Sequence, residues 1–105
     1  MTREEQILGM ISRILQGHRE DLRGHRVVLF GSRATGTAKS RSDFDIGVDG
    51  PARLSPKVFS QLAEEFDDLP TLYSIDWVDL QNTSPQFRQN ALQGAITLHE
   101  VEEGK

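Results

Sequence analysis

The chain has 105 residues, with 16 acidic against 12 basic side chains, a formal net charge of −4 and no cysteine. That length predicts one small domain spanning 1–105, able to bury roughly 60–65% of its unfolded surface. The acidic balance argues against broad nucleic-acid binding, and the missing cysteines exclude disulfides and thiolate metal sites. No apolar run approaches the roughly 18 residues of a membrane span, and the first residues lack the apolar core of a signal peptide. A cytoplasmic protein is expected.

In chain order, Ile7, Leu8, Met10, Ile11, Ile14 and Leu15 recur at the spacing of an amphipathic helix over 5–22. Thr2 and Glu5 give it a capping-box start, and Gly24 a stop. Arg26-Val27-Val28-Leu29-Phe30 is an apolar, β-branched run that predicts a buried strand, broken by Gly31. One helical turn over 32–36 and a basic loop then lead to a second strand beginning at Asp43 and closed by Gly50-Pro51. Ser55-Pro56 and Ser84-Pro85 each open a helix by putting a capping hydroxyl just before a proline at the first helical position. Phe59, Leu62, Ala63 and Phe66 form the apolar face of one, and Phe87, Ala91 and Leu92 that of the other, which Gly94 ends. Between them lies the strand Tyr73-Ser74-Ile75-Asp76-Trp77-Val78-Asp79-Leu80, and 95–98 reads as a short edge strand. The fold class is α+β: a small mixed sheet of three principal strands, packed with helices largely on one face.

Chemistry concentrates in 30–48. Gly31, at a strand exit, lets the backbone approach a ligand, and Ser32 adds a hydroxyl beside amides that can face phosphate oxygens. Strand alternation sends Asp43 and Asp45 to one face and Phe44 and Ile46 to the other. Two like charges there call for a cation, and Mg²⁺ takes carboxylates together with substrate phosphates. Arg33, Lys39 and Arg41 lie in the intervening loop, where cations can neutralise a triphosphate, and Ser42 either touches nucleotide or caps the turn. Asp76 and Asp79 are candidates for a third carboxylate. Three apart on one strand, they face opposite sides, and Asp76, in mid-strand, is the favoured one. His18, His25 and His99 lack ligand-like spacing and read as surface or helix-end residues. Alternation puts Trp77 opposite Asp76, in the core.

Gly31-Ser32, ten residues, Asp43-x-Asp45 and a later strand aspartate together resemble the signature of the polymerase beta-type nucleotidyltransferase superfamily. The short chain resembles in particular the minimal prokaryotic members that act as antitoxins beside HEPN-domain toxins. The likeness runs from about residue 26 to 98, and 75–80 followed by 83–88 is similar to that family's closing strand and helix. It implies a nucleotidyltransferase-like core and two Mg²⁺ ions held by Asp43, Asp45 and Asp76. Gly31, Ser32, Arg33, Arg41 and Ser42 would then face the nucleotide. It further implies ATP as donor, and a HEPN-toxin tyrosine as acceptor of AMP within a hetero-oligomer. Two other readings stand beside it: a non-catalytic antitoxin that blocks its partner by binding, and a small-molecule nucleotidyltransferase.

Overall fold

The computed structural model describes residues 2–39 and 42–100. Thr2 caps the first helix, α1 (Arg3–Gly17), its hydroxyl accepting the Glu5 amide at 3.1 Å. The helix stops at Gly17, short of the predicted Leu22. There the chain turns: the Leu22 amide bonds the His18 carbonyl and the His25 amide the Leu22 carbonyl, while Gly24 takes φ +81°. Leu22 is fully buried all the same. Its periodicity reported burial, which a turn satisfies as well as a helix.

The strands β1 (Arg26–Phe30), β2 (Phe44–Asp49), β3 (Ile75–Asp79) and β4 (Ile96–Glu100) form one sheet in the order β3-β2-β1-β4. β1 runs antiparallel to β2 and β4, and β2 parallel to β3. The parallel pair needs a crossover, supplied by α3 (Pro56–Asp67). The sheet therefore has four strands, because the short edge segment pairs along β1, with a register shift between Val27 and Val28. The segment α2 (Ser32–Thr35) is a single turn between β1 and the basic loop, and α4 (Pro85–Leu92) follows a 3₁₀ turn, Leu80–Asn82.

Alternation along β2 divides the molecule. Phe44, Ile46 and Val48 join Val27 and Leu29 in the main core, which α1 covers with Ile7, Ile11 and Leu15 and α3 with Leu62 and Phe66. Each of these side chains contributes about 1.5–3 kcal/mol by leaving water. Trp77 belongs to this side, stacked on Phe59 at 5.2 Å and donating its indole N–H to the Phe59 carbonyl at 3.1 Å. The opposite face carries Asp45, Gly47 and Asp49 together with a smaller cluster of Val28, Phe30, Leu80 and Ala91. Since α4 covers that cluster, helices lie on both faces and not largely on one. The helix-start signals differ in outcome: Ser84 accepts the Phe87 amide at 3.1 Å, whereas the Ser55 side chain makes no capping bond to α3.

Two charged clusters tie helices down. Asp49, only 7% exposed, accepts both Nε and Nη2 of Arg88 on α4 at 2.8 Å and the side-chain Nε2 of Gln81 at 3.1 Å. Burial alone would raise its carboxyl pKa, but these bonds hold it below the ordinary carboxylate range. Arg88→Met therefore lowers the melting temperature at pH 7. The deficit shrinks as the pH falls from the ordinary carboxylate value through the lowered folded one, below which Asp49 is protonated in both proteins; a deficit constant with pH would remove the charge from this account.

His18 bonds Asp21 through Nδ1 at 3.1 Å and Glu65 of α3 through Nε2. Burial opposes its charge, but the two carboxylates outweigh it and raise the pKa above 6.5. A raised folded value means stability that is complete below the ordinary histidine pKa and lost as pH rises through the folded one. Because both partners are half-exposed, the contribution is about 0.5–1 kcal/mol. Thermal unfolding of wild type and His18→Gln between pH 5.5 and 8.5, a range of about three units spanning the ordinary histidine value, should show a wild-type advantage that disappears at the alkaline end. Against the surface reading of His99, burial lowers its pKa and its Nε2 is buried with no hydrogen-bond partner among the described residues.

Candidate active site

The divided strand β2 brings the predicted carboxylates together. Asp45 sits in register with Asp76 of β3 on one side and with Phe30 of β1 on the other. Asp43 stands just before β2 begins. Burial, then the charge of Asp76, a hydrogen bond to it and the charge of Asp43 all push the Asp45 carboxyl pKa up. The site therefore disfavours the charge on Asp45.

Gly31 closes on the same carboxylate. It has φ +75°, and a Cβ added there would lie 2.3 Å from Asp45 Oδ2. Glycine is required for both conformation and space. Ser32 opens α2 directly after it, so the turn out of β1 runs against the carboxylate.

The other predicted ligands are placed differently. Arg33 turns to the main-core side, its guanidinium 4.1 Å from the centre of the Phe44 ring and 5.1 Å from that of Tyr73. It donates to the Ser42 carbonyl from Nε at 3.0 Å and Nη2 at 2.7 Å, and to Glu4 from Nη1 at 2.8 Å. With its side chain 6% exposed, Arg33 fastens the basic loop to α1 and β2. The Ser42 hydroxyl accepts the Lys39 amide at 2.9 Å, the turn-capping alternative. Arg41 lies outside the described residues. Asp79 faces away from Asp76, accepting the amides of Leu54 at 2.7 Å and Gln81 at 3.0 Å, and so is occupied as a cap.

Among the described residues, no group of three or more His, Asp or Glu side chains is arranged to hold a metal ion. What the site offers is the adjacent pair Asp45 and Asp76, with Asp43 felt through its charge. That pair suits Mg²⁺, which keeps waters and takes one or two carboxylates plus phosphates.

Space is available beside the carboxylates. A cleft of about 370 Å³ is lined by Arg3, Asp43, Leu72, Tyr73 and Ser74. A neighbouring hollow of about 450 Å³ joins Leu72 and Tyr73 to Asp76. A cavity of about 400 Å³ by Trp77 and Asp79 contains none of the three site carboxylates.

The family model for polymerase beta nucleotidyltransferases matches residues 11–103. The chain belongs to the polymerase beta nucleotidyltransferase family. Nucleotidyl transfer is the reaction class of that family, and the Gly31-Ser32 turn, Asp43, Asp45 and Asp76 lie within the matched residues. No curated protein matches the chain significantly. Among solved structures, a toxin–antitoxin crystal structure with AMP-PNP is similar at a TM-score of 0.66, with 25% identity over 90% of this chain and 73% of that one. A tri-AMPylated Shewanella oneidensis HEPN toxin in complex with MNT antitoxin shares the fold at a TM-score of 0.64 and 22% identity, over 92% of this chain and 72% of that one. An MntA–HepT toxin–antitoxin structure shares it at a TM-score of 0.63 and 22% identity, over 92% and 73%. Among the described residues of this nucleotidyltransferase, no helix is long and apolar enough to cross a membrane.

Proposed function

We propose that this nucleotidyltransferase moves AMP from ATP onto a protein hydroxyl, a tyrosine of a HEPN-type toxin, and acts as that toxin's antitoxin. The observation carrying this reading is the register pairing of Asp45 with Asp76, with Gly31 pressed against the Asp45 carboxylate. The similarity to a toxin–antitoxin structure with AMP-PNP supports a nucleotide donor and a protein partner.

In the proposed step the acceptor oxygen bonds to the α-phosphorus, the bond from that phosphorus to the bridging oxygen breaks, and pyrophosphate leaves. Asp76 takes the hydroxyl proton or shares in metal binding, and the backbone at Gly31 and Ser32 faces the phosphates. Bound Mg²⁺, one ion or two, would be held by Asp43, Asp45 and Asp76 and supplies charge neutralisation between carboxylates and triphosphate. The chain's own contribution is to orient and to exclude water.

A second reading is favoured by one observation, the lack of a ready three-ligand group among the described residues. In that reading the chain neutralises its partner by binding alone. Incubation with Mg²⁺, α-labelled ATP and lysate from the source cells separates the two. Label on one protein band with wild type, but not with an Asp43→Asn/Asp45→Asn double variant, supports transfer. No label, with the same partner held by both proteins, supports binding.

A further inference from the structure

Leu72 is completely exposed, at 103% of its reference area, although an isolated leucine gains nothing from water. It stands in the 68–74 connection and lines both hollows beside the carboxylates, one with Asp43 and the other with Asp76. Phe87 and Ile96, the other exposed large apolar residues among those described, belong to α4 and β4.

The sheet order gives this position a direction. Gly31 follows β1, so phosphates received at the Gly31-Ser32 turn lie on the β1 side of Asp45. An in-line displacement brings the acceptor oxygen from the side opposite the leaving pyrophosphate. Across Asp45 from β1 is β3, and the connection entering β3 is the one that carries Leu72. Arg3, at the start of α1, adds a positive charge to the same cleft.

We propose that the cleft formed by Arg3, Asp43, Leu72, Tyr73 and Ser74 receives the acceptor segment of the protein partner, with Leu72 as its apolar anchor. This rests on the transferase reading and adds the selection of the acceptor. A segment that fits carries an apolar residue to cover Leu72 and an acidic one to face Arg3, on either side of the hydroxyl that reaches Asp76. A few well-buried residues carry most of the binding energy of an interface, and in this proposal Leu72 is one of them.

Leu72→Asp and Arg3→Glu change exposed side chains, so both variants should fold, which their melting temperatures check. Each is assayed with the purified HEPN-domain protein of the source cells, by labelling kinetics with α-labelled ATP, by calorimetric affinity for that protein and by affinity for AMP-PNP. The expected result is an acceptor KM raised at least about tenfold by Leu72→Asp, with kcat and AMP-PNP affinity within about twofold of wild type. An unchanged acceptor KM overturns the proposal, as does a loss confined to AMP-PNP binding, which would make the cleft part of the nucleotide site. If wild type transfers no label, the transferase reading fails by itself. The docking surface is then judged by whether Leu72→Asp weakens the complex.

Discussion

Asp45→Asn removes at least about a hundredfold of the nucleotidyl-transfer rate, and the variant melts at a higher temperature than wild type in magnesium-free buffer. The two effects have one cause. Asp45 is the carboxylate that both Asp76 and Asp43 repel, and it is partly desolvated against β1. Its folded pKa is raised, so the native state loses stability as pH climbs from the ordinary carboxylate value through the folded one, and above the folded value that loss is complete. An amide in its place keeps the shape, ends the repulsion and can donate to Asp76, but brings no charge to a cation. Stability is thus given up for function at this position. Calorimetry of both proteins with EDTA and with Mg²⁺ is the check. A variant that melts below wild type in EDTA would mean that the carboxylates do not strain the fold.

Gly31→Ala has the second large effect. A non-glycine residue at φ +75° costs on the order of 1–2 kcal/mol, and the new methyl would stand 2.3 Å from Asp45 Oδ2. Something must move, and the nearest movable group is the carboxylate itself. Activity should fall by roughly a hundredfold, the cost of misplacing a catalytic group by about 1 Å, while the melting temperature drops by several degrees. Gly36→Ala is the comparison. Gly36 also has a positive φ, +79°, but its ψ of 13° lies in the left-handed region and nothing stands within 4 Å of its Cβ position, so it should lose less stability and keep most of the activity.

Much of this site was legible in the sequence because period-two alternation is a local rule. Asp45 on one face, Phe44 and Ile46 on the other, and Asp76 opposed to Asp79 all follow from it. The surroundings of Arg33 were not legible, since nothing local to a basic residue in a glycine-containing loop announces Phe44, Tyr73 and Glu4 around it. Asp49 was missed for a related reason. Beside Gly50-Pro51 it reads as a turn residue, and its partner Arg88 lies 39 positions away. The alternation that singled out Asp45 also reaches Asp49, and was the available signal. The extent of α1 failed differently, because burial of Leu22 extends the apolar period beyond the point where the helix stops.

The split along β2 also shapes how such a protein can change over generations. Phe44, Ile46 and Val48 answer only to the main core, while Asp45, Gly47 and Asp49 answer to the opposite face. A descendant released from catalysis would be free to drift at Asp45 while its even-numbered neighbours stayed fixed, leaving a folded binder built on the skeleton of an enzyme. A descendant pressed toward a new acceptor could vary exposed Leu72 while Tyr73 and Ser74 beside it keep their hold on Phe44. Because successive residues serve separate masters, the chemistry of this fold can be lost or redirected one side chain at a time.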